Sequence, residues 1–125
     1  MTDPTNKLKA VDFLKMVVAG KVREAFRKYI AGDFIHHNAY FKSDRQSILD
    51  AMEEDAAENP GKIFKAYHVL QDEDKVAVHS HIKLDPDDPG YALVHIFRFE
   101  DGLIAEMWDI GQALPEDPVN EAGMF

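Results

Sequence analysis

The feature that most constrains this chain is a change of hydrophobic period at Lys62. Before it, apolar residues recur every three or four positions; after it, they alternate. The first half is therefore expected to be mainly helical and the second half extended, because side chains share a face every 3.6 residues on a helix and every two on a strand. Helices followed by a run of strands specify α+β architecture, with a sheet that buries one face under the helices.

The helical half divides into three. Asn6 to Ala19 carries Leu8, Val11, Leu14, Val17 and Val18 as its expected apolar face, and Gly20 marks a break. Val22, Ala25, Phe26, Tyr29 and Ile30 define a second amphipathic helix, followed by a short extended piece from Asp33 to Asn38. Ser43 and Gln46 have capping-box spacing and predict the start of a third helix. Its apolar face is Ile48, Leu49, Met52 and Ala56, and Asn59-Pro60-Gly61 stops it.

Four strands are expected beyond: Ile63 to Gln71, Lys75 to Leu84, Tyr91 to Phe99 and Leu103 to Gln112. The turns between them are Asp72-Glu73-Asp74, the loop Asp85 to Gly90, and Glu100-Asp101-Gly102. The polar tail from Pro115 has no regular pattern. One domain, residues 1–125, accounts for everything, with its core at about 6–115 and an irregular tail.

Composition narrows the partners. Acidic residues outnumber basic ones 23 to 14, a net charge of −9, so a phosphate backbone is repelled and no nucleic-acid partner is expected. Cysteine is absent, which removes disulfides, thiolate metal sites and cysteine nucleophiles. No apolar run nears the ~20 residues of a membrane span, so no membrane partner is expected. The start Met1-Thr2-Asp3-Pro4 lacks the basic and apolar segments of a secretory signal, and a cytoplasmic location is the expectation.

Strand alternation singles out the residues able to carry chemistry. Tyr91, Leu93, His95, Phe97 and Phe99 share one face; Leu103, Ala105, Met107, Asp109 and Gly111 share another. Antiparallel pairing around Glu100–Gly102 can bring His95 and Asp109 together on one face, and a one-residue slip would separate them. A sheltered carboxylate beside an imidazole suits general acid–base work near neutral pH. The competing reading is an exposed or turn-capping Asp109 and a structural core histidine.

His79 and His81 point to one side of their strand, and His37 sits in the extended segment before the third helix. If that side is also the side of His95, these imidazoles surround one cavity. Histidines at i and i+2 can chelate zinc or iron, yet without a separately placed third ligand they specify no metal site. Tyr40, Phe97 and Met107 are expected as further cavity walls, although Phe97 at this spacing also reads as core. No phosphate-cradling glycine loop, Ser-centred elbow or nucleotide motif is present, so no cofactor is expected.

Two stretches carry a family resemblance. Asp33-Phe34-Ile35-His36-His37-Asn38 resembles a segment written Tyr-Ile-Gln-His-Asn in the SnoaL-like polyketide cyclases. Val94 to Gln112 is similar to their final hairpin, with its Phe-Arg, Asp-Gly turn, Glu-His-Trp-Asp and Gln. The order of elements agrees from about Asn6 to Pro115.

The resemblance implies the nuclear transport factor 2-like cone: three N-terminal helices on a curved, mainly antiparallel sheet that encloses a pocket. It implies Asp109 as the catalytic carboxylate and His95 as its neighbour. The expected substrate contacts, from the strand faces and aromatic positions above, are His37, His79, His81, Tyr40, Phe97 and Met107. Met107 stands where many relatives have histidine, and His95 where a subgroup has aspartate. The activity implied is cofactor-independent proton abstraction alpha to a carbonyl, followed by intramolecular aldol condensation of a small apolar carbonyl compound. Ketosteroid isomerase runs the same logic with an Asp base. A non-catalytic binding domain and a histidine-dependent metal enzyme are the alternatives. The resemblance also implies a homodimer, for which an apolar outer sheet face of Val76, Val78 and Ile82 would supply the motive, unless that face packs on the helices.

Overall fold

The structure is a computed structural model and describes residues 3–125. Its elements are α1 (Asn6–Val18), α2 (Val22–Tyr29), β1 (Ile30–His36), α3 (Arg45–Glu58), β2 (Ile63–Asp72), β3 (Lys75–Lys83), β4 (Tyr91–Glu100) and β5 (Leu103–Ala113). The five strands form one sheet in the order β1-β5-β4-β3-β2, and the three helices pack against one face of it. All neighbours pair antiparallel except β1 and β5, which run parallel. The curved sheet does not close on itself.

Local chemistry explains the breaks. Gly20 adopts φ +85° and ends α1 with paired bonds, its own N–H to the Val17 carbonyl and the Lys21 N–H to the Met16 carbonyl. This left-handed cap satisfies carbonyls that the helix end leaves free. In the β4–β5 hairpin, Glu100 pairs Leu103 across Asp101 and Gly102, whose φ values of 52° and 81° match the twist of the strands.

Two helix details differ from the sequence expectation. The buried face of α1 is Asn6, Ala10, Phe13 and Leu14, while Leu8 is exposed. The apolar stripe was broad enough to allow either rotation, and the bulk of Phe13 decides it: its ring packs edge-on against Phe97 at 5.9 Å and tilted on Phe26 at 5.7 Å. The cap of α3 is Asp44, not Ser43. Its carboxylate accepts from the Ser47 backbone N–H at 2.9 Å and from the Ser47 hydroxyl at 2.7 Å. Asp44→Ala is expected to lower the melting temperature by about 3–6 °C, read by thermal denaturation.

The inner sheet face is Val76, Val78 and Ser80 on β3 and His95, Phe97 and Phe99 on β4, all buried. Val76 and Val78 therefore lie under the helices, which corrects the expectation that they form an outer apolar face. The outer face instead carries Leu70, Ala77, Val94, Ile96, Trp108 and Ile110, the partners that alternate with the inner set.

Candidate active site

The extended segment after α2 is a true strand, and this is what builds the site. In β1, Phe34 and His36 face inward, and both are buried to 2% exposure. Ladder pairing of His36 with Met107 continues one step further, as the His37 N–H donates to the Met107 carbonyl at 3.0 Å. The chain thus delivers Asn38 to the inner face, beside Asp109 two residues on from Met107.

His36 holds the loop that follows. Its Nδ1 accepts from the Asn38 backbone N–H at 3.1 Å, so the ring proton sits on Nε2, which donates to the Lys42 carbonyl at 2.5 Å. Asn38 is oriented in turn: its Oδ1 accepts from the Tyr40 backbone N–H at 3.0 Å. That leaves its Nδ2 to donate to Asp109 Oδ2 at 2.9 Å. Three residues act in series to aim one carboxylate.

On the sheet, His95 is the direct antiparallel partner of Asp109, so both side chains share the inner face. His95 is 6% exposed and its Nδ1 is buried without a partner. Burial pushes the imidazole down to about 4, and the nearby Asp109 carboxylate opposes that shift. At neutral pH the ring is uncharged. A buried N–H with no acceptor costs more than a bare lone pair, so the proton belongs on Nε2, the nitrogen left open to the cavity.

A cavity of about 470 Å³ stands over this pair, lined among others by Asn38, Tyr40, Tyr91, Leu93, His95 and Asp109. That volume suits a small organic ligand. A second space of about 270 Å³, between α3 and the loop, is lined by Phe41, Ile48, Ala51, Met52 and Asp55, and again by Asn38 and Asp109.

Of the residues singled out from sequence, the register brings Asp109, His95 and Tyr40 to this cavity. His37 borders it, but its ring stacks on Trp108 at 4.8 Å on the outer side, with Nε2 2.6 Å from Glu106 Oε2. His37 and then Arg98, by hydrogen bonding, hold the Glu106 carboxyl below the usual range.

His79 and His81 do not join the cavity. His79 pairs with Val94 and His81 with Ala92, which places both on the outer face, because Val78 is the partner of His95. There they stack against Phe125, with ring centroids 5.4 Å and 4.5 Å away. A period of two allows no other outcome once the register is set.

Phe97 and Met107 are corrected as well. Both belong to the hydrophobic core at 0% and 1% exposure and line neither of the two spaces at Asp109. Among the described residues, no three His, Asp or Glu side chains converge as a metal ion would need. The residue that sequence reasoning missed is Asn38. Alternation from Phe34 through His36 would have found it, had the segment been read as a paired strand.

The model of the family described as "SnoaL-like domain" matches residues 10–107, more than half of the chain. The chain belongs to the SnoaL-like domain family. The matched span includes His95 and Asn38 and ends just before Asp109. No curated protein matches this sequence. Among solved structures, the IdmH 96–104 loop truncation variant is similar with a TM-score of 0.68 and 21% identity, over 87% of this chain and 92% of that one. An NTF2-like protein from Cytophaga hutchinsonii gives 0.68 and 12% over 89% and 93%. A candidate polyketide cyclase from Acidithiobacillus ferrooxidans gives 0.69 and 16% over 89% and 91%. At these identities the likeness establishes the fold, the NTF2-like cone of helices on a curved sheet. Among the described residues of this SnoaL-like chain, no helix is long and apolar enough to cross a membrane.

Proposed function

We infer that this protein is an enzyme that removes a proton alpha to a carbonyl, with Asp109 as base and His95 as the donor that receives the developing charge. The family is of cyclase and isomerase type, and the observation that carries the finer reading is the His95–Asp109 pair at the floor of a cavity. The C–H proton passes to the Asp109 carboxylate. The C–H electron pair moves into the adjacent carbonyl, and the enolate oxygen accepts a hydrogen bond from His95 Nε2–H. A neutral imidazole suits this task, since it donates without protonating the base beside it.

In a substrate with a second carbonyl within reach, the enolate carbon attacks that carbonyl carbon and forms the ring bond. The new alkoxide recovers the proton from Asp109. No cofactor enters the balance. The ligand is accordingly a small apolar carbonyl compound. Homodimer formation through the outer sheet face is the accompanying proposal, supported by half-exposed Trp108 and exposed Leu70 and Ile110 on it.

The test is deuterium incorporation from D2O at C2 of methyl 3-oxobutanoate, followed by proton NMR. Exchange well above the buffer rate is expected, and a rate equal to buffer at saturating ester would sink the reading. Asn38→Ala should lower kcat for exchange about 10- to 100-fold with little change in KM, because a charge-assisted hydrogen bond aims the carboxylate. A rise in KM at constant kcat would instead make Asn38 a plain binding residue.

A further inference from the structure

Asp109 and Asn38 line both the larger cavity and the space beneath α3, so their hydrogen-bonded pair stands at the boundary of two lobes. The lobes differ in chemistry. The larger one presents Tyr40, Tyr91 and the His95 ring around Asp109, groups that donate or accept hydrogen bonds. The smaller one, apart from the boundary pair, is walled by Phe41, Ile48, Ala51 and Met52, with Asp55 at its rim. Asp55 is already satisfied by an ion pair with Lys62. No Lys, Arg or His is among the residues lining this lobe, and the neighbouring Lys62 ammonium is held by Asp55, so nothing there favours an acidic substituent.

Phe41 is 46% exposed and Tyr40 89% exposed on the loop that crosses both openings. Two adjacent exposed aromatics on a loop held in place by His36 and Asn38 are apolar surface without a protein partner.

We propose that the substrate is bipartite: its carbonyl groups occupy the larger lobe, and an uncharged hydrocarbon substituent on the acidic side of the molecule occupies the lobe under α3. This rests on the proton-abstraction reading for what lies in the larger lobe, and adds what the smaller lobe selects. The reacting carbon then falls at the boundary, where Asp109 faces it. At ~30 Å³ per water-sized group, a space of about 270 Å³ holds a chain of some six to nine carbons. Ala51 sets its width, since it is the small residue of the α3 wall between Ile48 and Met52.

The experiment is a binding series by calorimetry with methyl 2-alkyl-3-oxobutanoates, from 2-methyl to 2-heptyl, on the wild-type protein. Affinity should tighten about fourfold for each of the first three or four methylenes, and by about sixtyfold or more across the series. Ala51→Trp should collapse the ratio of long-chain to short-chain affinity to within about threefold; Ala51→Leu, a gentler substitution, should reduce it partway. A flat wild-type series overturns the proposal, and so does failure of the longest ester to bind at its solubility limit. Neither result depends on turnover. Deuterium exchange measured on the same wild-type protein separates the two readings: a steep binding series with no enzyme-dependent exchange removes the base assignment and keeps the hydrocarbon lobe, whereas exchange with a flat series does the reverse.

Discussion

Asp109→Asn is expected to reduce enzyme-dependent deuterium exchange by about a thousandfold while leaving the fold and melting temperature nearly unchanged. The substitution keeps shape and size. Its amide oxygen can still accept from Asn38 Nδ2, whose orientation is set independently by the Tyr40 N–H. What disappears is the lone pair of an anion able to take the C–H proton, and positioned general bases contribute roughly 10²–10⁴ in rate. Circular dichroism and ester binding by calorimetry would report intact structure alongside the lost exchange. Retention of exchange within threefold of wild type removes Asp109 from the mechanism. Loss of ester binding together with exchange would assign it to holding ligand instead.

The second large effect is acid lability traced to His95. Its ring is buried and its folded-state pKa is depressed to about 4, against 6.5 in the unfolded chain. Above about pH 6.5 the imidazole is neutral in both states and stability does not depend on it. As the pH falls through the window from 6.5 to 4, the unfolded chain binds a proton that the folded chain refuses, so stability declines. Below about 4 both states are protonated and the loss is complete. A difference of this size corresponds to about 3 kcal/mol, lost entirely between those two values.

Carboxylates titrate at the lower end of that range, so the measurement must be differential. Urea denaturation of the wild type and of His95→Phe, compared at intervals from pH 7 to pH 4, isolates the imidazole. Phenylalanine can retain the stacking on Phe97, whose ring lies 5.9 Å from that of His95 and nearly parallel to it. The wild type should lose about 3 kcal/mol more than the variant over the window. Equal slopes would mean that His95 is protonated in the folded protein well above pH 4, and its role as a neutral donor would fall with that result. The same protonation should abolish proton abstraction at the acid end, since a charged imidazole beside Asp109 stabilises the carboxylate against accepting a proton.

These two residues also show how far a linear pattern reaches. The turn Glu100-Asp101-Gly102 is short, and its glycine takes the left-handed backbone that only a tight hairpin demands. Such a turn pairs Glu100 with Leu103 and, continued unbroken, would set His95 opposite Trp108. The extra residue Ala105 between the partners of Phe99 and Arg98 shifts the register by one and brings Asp109 there instead. Period and turn allowed this facing, and the bulge decided it. The start of α2, the stop at Asn59 and the alternation of β3 were legible because each rests on interactions within a few residues, whereas Ile30, expected on α2, opens β1 instead.

What lay outside reach was every relation between elements distant in sequence. His79 and His81 alternate correctly with Val78, but nothing in β3 alone says which side the helices cover. Burial of Val76 and Val78 under α1 turned both histidines outward and made Phe125, not a substrate, their neighbour. Asn38 escaped for the same reason: its importance depends on β1 docking parallel to β5, a pairing between segments about seventy residues apart.

By itself, the amino-acid order determined the helix-then-strand architecture and the final hairpin. These follow from side-chain period and turn geometry, which are properties of neighbouring residues. Tertiary structure alone decided which sheet face became the interior, which of the histidines reached the cavity, and that Asp109 is held by Asn38 at the border of two chemically different spaces. Those outcomes depend on which surfaces bury one another, a competition settled among residues far apart along the chain.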